Sequence, residues 1–318
     1  MAKSRVVFSL PRNDFFETID STKTGEDQFI WQSFKSDASS ARIIGKRVLF
    51  SLEKLQSIEL KDNELWPIIS KDQYQDLVEK AIRFSTVVDG KVVLSRYSET
   101  RAQQLDIAHS LLKLKAAFDN ALIYLLITEK GEVWLGATPE TLVKQNESGF
   151  NTMSLAGTKW HDDPFEEKEF IEQSLVTDSI KEKLSGESPK VGDRTESAFG
   201  PIRHLQTNIE WSGNRSIEDY ACLLHPTPAI CGFPEKEAKQ FILDTENYDR
   251  ELYTGYLGLV DSNENSHLFV NLRCMQLFRN HIRMYAGGGI NAMSNPQTEW
   301  EETNRKMNTV LKALNING

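Results

Sequence analysis

The sequence predicts an α+β fold in which antiparallel sheets form a single domain. Apolar stretches of strand length occur in pairs joined by short polar turns. One pair is ALIYLLITEKGEVWLGAT (residues 121–138), in which Glu129–Gly131 separate two apolar runs. Helical stretches lie between such pairs, without the regular alternation of strand and helix that is typical of parallel sheets. No repeat, low-complexity tract or long linker interrupts the 318 residues, so one domain (1–318) is expected.

The first half of the chain is predicted to hold short strands, followed by helices that alternate with strands. Apolar residues at helical spacing, such as Leu77, Ala81 and Ile82, distinguish the helices from the strands. The predicted elements are strands at Arg5–Leu10, Phe29–Trp31 and Arg47–Phe50, a helix from Lys71 to about Thr86, a strand at Lys91–Arg96, a helix at Thr100–Phe118 and then the hairpin.

In the second half, a helix is predicted to begin at Asp163–Pro164. Asp163 would be its N-cap, Pro164 its first helical residue, and Glu166 would close a capping box. Between about Ser185 and Thr195, Gly, Ser, Pro and Asp predict a loop. The remaining predicted elements are strands at Tyr253–Val260, Leu268–Leu277 and Ile282–Tyr285, and a final helix from about Pro296.

The composition is ordinary for a soluble globular protein, with 39% hydrophobic and 26% charged residues. A net charge of −9 argues against nucleic acid as the main partner, because phosphate binding needs a basic surface. No apolar run is long enough to span a bilayer, and the first residues, MAKSRVVFSLPRND, lack the apolar stretch of a secretory signal. Three cysteines without CxxC spacing indicate neither a disulfide framework nor a zinc site. A cytoplasmic protein is expected.

Two predicted helices carry carboxylates three residues apart on or beside their apolar faces. After Pro164, Glu169 and Glu172 fall within a stripe formed by Phe165, Val176 and Ile180. In the last helix, Glu299, Glu302 and Lys306 flank a stripe formed by Trp300, Met307, Leu311 and Leu314. A solvated helix face is the ordinary explanation of such a pair. Carboxylates on a buried face need compensation, however, and two converging pairs would suit Mg²⁺, which prefers oxygen ligands.

An arginine and a run of glycines precede the last helix. Gly287–Gly289 fit either a mobile hairpin loop or a backbone that approaches an anion closely. Strand alternation places Arg273 on one face with Phe269, Asn271, Met275 and Leu277, three of which are apolar. An arginine there is more typical of a bound carboxylate or a buried ion pair than of a solvated charge. Together these features predict a pocket for a small anionic substrate.

Three other residues have both an ordinary and a functional interpretation. Lys91 begins the apolar stretch KVVLSR and is either a solvated lysine or a functional one. Glu140, in GATPETLV, fits a carboxylate at the start of a helix. His225, in the proline-rich HPTPAICGFP, fits a structural histidine.

Nine blocks in this order resemble the chorismate-utilising enzymes, from about Lys91 to Lys306. They are KVVLSR, GATPETLV, LAGT, EKEFIEQ, HPTPAICGFPEKEA, RELYTGYLG, LRC, AGGGI and EWEETNRK. The resemblance implies one α+β chorismate-binding domain with large antiparallel sheets packed between helices. Residues 76–318 would form the motif-bearing core and about 1–75 a reduced N-terminal part. No glutamine amidotransferase domain or subunit is expected.

Within that family, two alanines favour the water-using isochorismate synthases. Aminodeoxychorismate synthases typically carry a nucleophilic lysine at the second position of LAGT, where this chain has Ala156. Anthranilate synthases usually show a PxGSxxGAPK-like segment in place of HPTPAICGFP. Ala229 in that segment is usual in isochorismate synthases, whereas salicylate synthases tend to have threonine. A salicylate synthase and a non-catalytic chorismate-binding protein are the alternatives.

The resemblance also implies the roles of individual residues. Lys91 would be the general base that activates water for attack at C2 of chorismate, and Glu140 the acid that protonates the departing C4 hydroxyl. Glu172 and Glu302 would hold Mg²⁺, with Glu169 and Glu299 acting through water. The glycine loop would hold a substrate carboxylate. The expected substrate contacts are Gly157, Thr158, His204, Ala229, Tyr253, Arg273, Gly287, Gly289 and Lys306.

The resemblance leaves the pathway open between menaquinone and a catechol siderophore. A monomer that binds neither nucleic acid nor membrane is expected. After LAGT the chain continues KWHDD, where the family more commonly has an arginine-containing sequence, so the resemblance does not establish the family's lid-like loop after Thr158.

Overall fold

The computed structural model describes residues 4–35, 40–55, 58–62, 66–102, 104–160 and 163–317. The six α-helices of this described part are α1 (Lys71–Val88), α2 (Ile107–Ala117), α3 (Glu167–Lys183), α4 (Ile217–Leu224), α5 (Glu235–Thr245) and α6 (Pro296–Leu311). Its strands are β1 (Arg5–Ser9), β2 (Phe16–Asp20), β3 (Asp27–Gln32), β4 (Ala41–Phe50), β5 (Lys91–Arg101), β6 (Gln104–Leu105), β7 (Leu122–Ile127), β8 (Val133–Thr138), β9 (Thr141–Asn146), β10 (Gly149–Trp160), β11 (Lys190–Phe199), β12 (Ile202–Trp211), β13 (Gly232–Phe233), β14 (Tyr256–Val260), β15 (His267–Val270), β16 (Cys274–Leu277), β17 (His281–Ile290) and β18 (Ile316–Asn317).

Sixteen of the described strands form one continuous antiparallel sheet that divides into two halves at β4. The order is β11-β12-β10-β9-β15-β14-β3-β4-β2-β1-β7-β8-β16-β17-β5-β13. The first part of β4, from Ala41 to Gly45, pairs with β3, and the second part, from Lys46 to Phe50, pairs with β2. One long strand therefore belongs to both halves. The α+β class with large antiparallel sheets is confirmed.

The two halves share a buried aromatic and aliphatic core, and the helices cover their outer faces. Phe8 of β1 and Phe29 of β3 meet at 5.2 Å between ring centroids within this shared core. Other apolar clusters lie under α2 and α6, under α3 and α4, and under α1 and α5. Strands such as β7 and β8 are covered on both faces, which explains why they are apolar throughout. No helix of the described ranges is both long enough and apolar enough to cross a bilayer.

The structure confirms the predicted hairpin, as β7 and β8, and the final helix, which begins at Pro296 behind the N-cap Asn295. Two helix starts were predicted wrongly. The helix expected from Thr100 begins at Ile107, because β5 continues to Arg101 in register with β17. The helix expected from Asp163 begins at Glu167, with Glu166 as N-cap and Glu169 closing the capping box.

Three predicted features of the backbone were also wrong. The loop expected between Ser185 and Thr195 contains most of β11, an exposed edge strand without apolar alternation, which pairs with β12. The strand expected at Leu268–Leu277 is interrupted, and Arg273 lies in the break between β15 and β16 with a φ of 50°. Gly287–Gly289 lie within β17, paired with β5, and not in a loop.

Candidate active site

One cavity brings the predicted site residues together. Its walls come from β5, β10, α3, β12, β17 and α6 and from the connections around residues 140, 229, 253 and 273. All of the predicted site residues line it except Lys91 and Glu299. Those two lie directly behind it, because Lys91 bonds to the lining residue Glu172 and Glu299 bonds to the lining residue Lys168.

Lys91 is the first residue of β5 and lies almost wholly inside the protein. The helix α1 ends at Asp89 in a left-handed C-cap conformation, and the chain then turns into β5 at Gly90. The Lys91 side chain is 3% exposed, and its Nζ donates to Oε1 of Glu172 at 2.8 Å. The explanation of Lys91 as a solvated lysine is therefore wrong. Although burial opposes ionisation, the charge and hydrogen bond of Lys91 hold the pKa of Glu172 below its usual value.

Glu140 lies in the short connection between β8 and β9, where only 3% of the residue is exposed. It does not begin a helix, since the chain continues directly as β9. Burial raises the pKa of Glu140 to about 8, against the opposing charges of Lys91 and Arg273. At neutral pH the Glu140 carboxyl group therefore carries a proton, as a general acid requires.

Each of the four predicted metal-binding carboxylates, which lie on α3 and α6, is paired with a lysine. Apart from Glu172 with Lys91, the pairs are Lys159–Glu169 at 3.2 Å, Lys168–Glu299 at 3.1 Å and Lys306–Glu302 at 2.6 Å. Glu169 and Glu299 are buried, so these helix faces are not solvated. Burial and the neighbouring charge of Glu302 raise the pKa of Glu299 to about 7, against the opposing charge of Lys168. The site therefore concentrates negative charge that a cation would stabilise.

The glycines of β17 make room for these carboxylates. A Cβ atom on Gly288 would lie 2.9 Å from Oε2 of Glu299 and 3.7 Å from Oε1 of Glu302. A Cβ atom on Gly289 would lie 2.5 Å from Oε1 of Glu172. Any larger residue at Gly289 would displace Glu172, so the run of glycines is explained by the close approach of the two helices to the strand.

The donor set fits a hard divalent cation such as Mg²⁺. Carboxylate oxygens from two helices face one glycine strand, and such ions prefer oxygen ligands. Over the part of the chain that the structure describes, no three acidic, histidine or cysteine side chains stand close enough to enclose a metal ion. Glu172, Glu299 and Glu302 are each ion-paired with a different lysine, Lys91, Lys168 and Lys306.

Arg273 reaches the cavity from the break between β15 and β16. Its Nη2 lies 3.4 Å from Nε2 of His204, and its guanidinium carbon lies 5.4 Å from the ring centroid of Phe199. The prediction that strand alternation orients Arg273 was wrong, because its left-handed backbone breaks the alternation. Burial lowers the pKa of Arg273 to about 10, which still leaves a cation at neutral pH.

His204, on β12, connects Arg273 to the glycine of the LAGT block. Its Nδ1 donates to the carbonyl oxygen of Gly157 at 3.0 Å, which leaves Nε2 to accept from Arg273. Burial and the charges of Arg273 and Lys306 lower the pKa of His204 to about 3, so the ring is neutral. Gly157 has a φ of 72° in a β-bulge, and a Cβ atom there would lie 2.9 Å from Cβ of Glu169. Only glycine fits this position without strain.

The rest of the wall is formed by Thr158, Ala229, Tyr253 and Lys306. Tyr253 stacks on Tyr285 with ring centroids 5.4 Å apart. Lys306 also donates to the carbonyl oxygen of Gly287 at 2.9 Å. Of the KWHDD segment, Lys159 and Trp160 end β10 and Asp163 lies before α3, while His161 and Asp162 lie outside the described residues.

Sequence analysis did not identify Lys168 as a site residue. It lines the cavity and joins α3 to α6 through Glu299. Its place in EKEFIEQ, beside Glu169, was the available signal. His225 lies outside the cavity lining, and its Nε2 donates to the carbonyl oxygen of Thr254 at 2.8 Å. This agrees with the structural interpretation of His225.

Comparison with known proteins agrees with the geometry. The chain matches the model of the family described as "Chorismate binding enzyme" over residues 8–315. It is 32% identical over 306 residues to the isochorismate synthase EntC of Escherichia coli K12, covering 90% of this chain and 76% of that one.

Two solved structures share the fold. MenF, the menaquinone-specific isochorismate synthase from Escherichia coli, superposes with a TM-score of 0.81 at 20% identity and covers 99% of this chain and 89% of its own. Anthranilate synthase component I from Streptococcus pneumoniae gives 0.70 at 16% identity, covering 97% and 92%. Because the family model spans nearly the whole sequence, the chain belongs to the chorismate-binding enzymes.

Proposed function

We propose that this protein is a Mg²⁺-dependent isochorismate synthase, an isomerase that interconverts chorismate and isochorismate. The observation that carries the proposal is the placement of two buried groups of opposite function at one cavity. Lys91, which is ion-paired with Glu172 in the structure, would act as the base after its ammonium group has released a proton, and Glu140 holds a proton at neutral pH because burial raises its pKa to about 8. The 32% identity to an isochorismate synthase supports the same reaction.

In this mechanism a water molecule forms a bond from its oxygen to C2 of chorismate while neutral Lys91 accepts its proton. The ring double bonds shift, the C4–oxygen bond breaks, and Glu140 gives its proton to the departing hydroxyl, which leaves as water. One water is consumed and one is released, so substrate and product are isomers. The proton on Lys91 and the charge on Glu140 are then exchanged with solvent to restore both groups.

Four carboxylates would serve the metal. Glu172 and Glu302 would hold Mg²⁺ directly, Glu169 and Glu299 would act through water, and the cation supplies positive charge beside the ring carboxylate of chorismate. The bound cation would compete with the lysines that pair with these carboxylates. Lys306 would then contact the substrate, as would Lys168 and Arg273, which also line the cavity.

The remaining residues would bind and orient chorismate. Arg273 is the cation best suited to the second carboxylate of the substrate, because a guanidinium binds carboxylate oxygens in pairs. The other proposed substrate contacts are Gly157, Thr158, His204, Ala229, Tyr253, Gly287, Gly289 and Lys306.

Two alanines favour isochorismate as the end product. Ala156 lines the cavity where a lysine nucleophile is usual in aminodeoxychorismate synthases, so no amine reaches the ring from that position. Ala229 is the residue usual in isochorismate synthases. The protein is proposed to act in the cytoplasm as a monomer of one domain (1–318), without a glutamine amidotransferase subunit.

Isotope labelling tests the water-attack step. In ¹⁸O-labelled water with Mg²⁺ and chorismate, isochorismate should gain one ¹⁸O atom at C2, as measured by mass spectrometry. Recovery of unlabelled isochorismate would show that the original C4 oxygen migrates, and would overturn the roles of Lys91 and Glu140. Release of labelled salicylate with pyruvate would favour salicylate synthase.

A further inference from the structure

A buried arginine outside the cavity holds one of its walls together. Arg250 is 1% exposed and lies between α5 and β14. Its Nη1 donates to the carbonyl oxygen of Ile230 at 2.9 Å, and its Nη2 donates to the carbonyl oxygen of Val93 at 2.7 Å. Nη1 also lies 3.3 Å from Oγ1 of Thr254. Ile230, Val93 and Thr254 all line the cavity, while Arg250 itself does not.

A single glutamate fixes the position of this arginine. Glu246 accepts from Nε of Arg250 at 2.7 Å and from its Nη2 at 2.6 Å. The Oε1 atom of Glu246 also accepts from the backbone nitrogen of Ser95 at 2.7 Å. Arg250 and Glu246 together therefore hydrogen-bond to the backbone of β5 at two residues, Val93 and Ser95. Because side chains alternate along a strand, these two residues share a face with Lys91.

The segments that Arg250 bonds to contain residues that the proposed function assigns to catalysis, to substrate contact or to the choice of product. Ile230 follows Ala229, the position that separates isochorismate synthases from salicylate synthases in the proposed function. Val93 lies two residues after Lys91, and its backbone nitrogen donates to the carbonyl oxygen of Cys231 at 2.8 Å. Tyr253, a proposed substrate contact, donates from its backbone nitrogen to the carbonyl oxygen of Arg250 at 2.9 Å.

We infer that Arg250, held by Glu246, is a positioning residue that sets the distance between Lys91 and the Ala229–Ile230 wall for the proposed reaction. Its planar guanidinium serves both backbone carbonyls and the carboxylate at once, which a lysine ammonium on a flexible chain does not. Displacing one wall of a reacting site by about 1 Å is enough to lower kcat by roughly a hundredfold. The inference rests on the proposed function, because it assigns Arg250 a role in that reaction.

The test compares Arg250→Lys with Arg47→Lys, a control that loses the same kind of contact away from the cavity. Arg47 forms a two-point pair with Glu17, at 2.7 Å and 2.8 Å. For Arg250→Lys, kcat should fall by at least about tenfold, while the Kd for Mg²⁺ measured calorimetrically changes by less than that factor. Arg250 makes none of its hydrogen bonds to α3 or α6, so it reaches the proposed ligand Glu172 only through the contact of Lys91. Arg47→Lys should lower Tm and keep the parent kcat.

A second variant, Glu246→Gln, keeps an oxygen that can accept from Ser95 but weakens the hydrogen bonds to Arg250. Its kcat should fall as well, by less than that of Arg250→Lys. If Arg250→Lys does not fold, the kinetics of Glu246→Gln test the inference instead. If the folded variants had a lower Tm but the kcat and KM of the parent, Arg250 would be a structural residue only, and the inference would be wrong. A parent protein that makes no isochorismate would instead overturn the proposed function.

Discussion

Nζ of Lys91 lies 2.8 Å from Oε1 of Glu172, so the proposed general base and a proposed metal ligand are ion-paired with each other. Each belongs to a different element, Lys91 to β5 and Glu172 to α3. The contact joins the reacting centre to the carboxylate cluster. It also means that a change at one residue leaves the other buried without its partner, which is costly.

Replacing Lys91 should slow catalysis strongly and leave substrate binding intact. General bases contribute about 10²–10⁴-fold, so Lys91→Ala should lower kcat by that order. Chorismate should still bind, because Lys91 lies behind the lining of the cavity. Steady-state kinetics and direct calorimetric binding check both statements. Lys23→Ala, which removes an exposed lysine paired with Asp20, is the control that should keep parent kinetics.

Replacing Glu302 should separate metal binding from folding. Glu302 contributes to the crowding that raises the pKa of Glu299, so Glu302→Ala relieves repulsion in the metal-free protein. The variant should fold with a Tm at or above that of the parent and lose activity, with its affinity for Mg²⁺ at least about tenfold weaker. Calorimetric titration with Mg²⁺ and a thermal melt measure the two properties. Parent affinity for Mg²⁺ in this variant would remove Glu302 from the ligand set.

Activity should decrease at alkaline pH because of Glu140. The acid must be protonated in the forward reaction, and its pKa is raised to about 8, so kcat/KM should fall as the pH rises above about 8. A pH profile of kcat/KM from pH 6 to 10 in steps of about half a unit checks this limb. A flat profile through pH 9 would contradict the role of Glu140 as the acid.

Ionisation of the Glu140 carboxyl group should also lower the stability of the fold as the pH rises. The folded pKa of Glu140 exceeds its ordinary value of 4.5, so the native state binds more protons than the unfolded state, and stability decreases as the pH rises from 4.5 to about 8. At about 1.4 kcal/mol per pH unit, the loss by pH 7 is on the order of 3 kcal/mol. Glu140→Gln should remove this slope in denaturant melts taken at several pH values.

Replacing Arg273 should weaken binding more than it slows the chemical step. A hydrogen-bonded contact to a carboxylate contributes about 1.5–3 kcal/mol, so Arg273→Ala should raise KM for chorismate by roughly tenfold to a hundredfold. Its kcat should change less, because the contact is made in the ground state and the transition state alike. His204 would then lose the donor to its Nε2. A variant with lower kcat and parent KM would place Arg273 in the chemical step.

Sequence analysis predicted the fold class and the family, which the comparisons confirm, because ordered motifs and paired apolar runs are local signals. It placed Glu169 within the apolar stripe of one helix and Glu299 beside the stripe of another, leaving open a solvated face, and both residues are buried in the structure. It failed where a partner far along the chain decides the conformation. Gly287–Gly289 form part of a strand because β5 pairs with them. Arg273 does not lie on its predicted face, because its own backbone is left-handed. The hydrogen bonds from Arg250 to the carbonyl oxygens of Ile230 and Val93 could not be predicted from any local sequence pattern.

The most direct measurement of the central claim is the product made from chorismate. The purified protein is incubated with chorismate and Mg²⁺, with and without ammonia, and the products are separated by chromatography and identified. The account predicts a mixture of chorismate and isochorismate that is reached from either side, is unaffected by ammonia and does not form after chelation of the metal. Anthranilate formed with ammonia, stoichiometric pyruvate with salicylate, or chorismate left unchanged would contradict it.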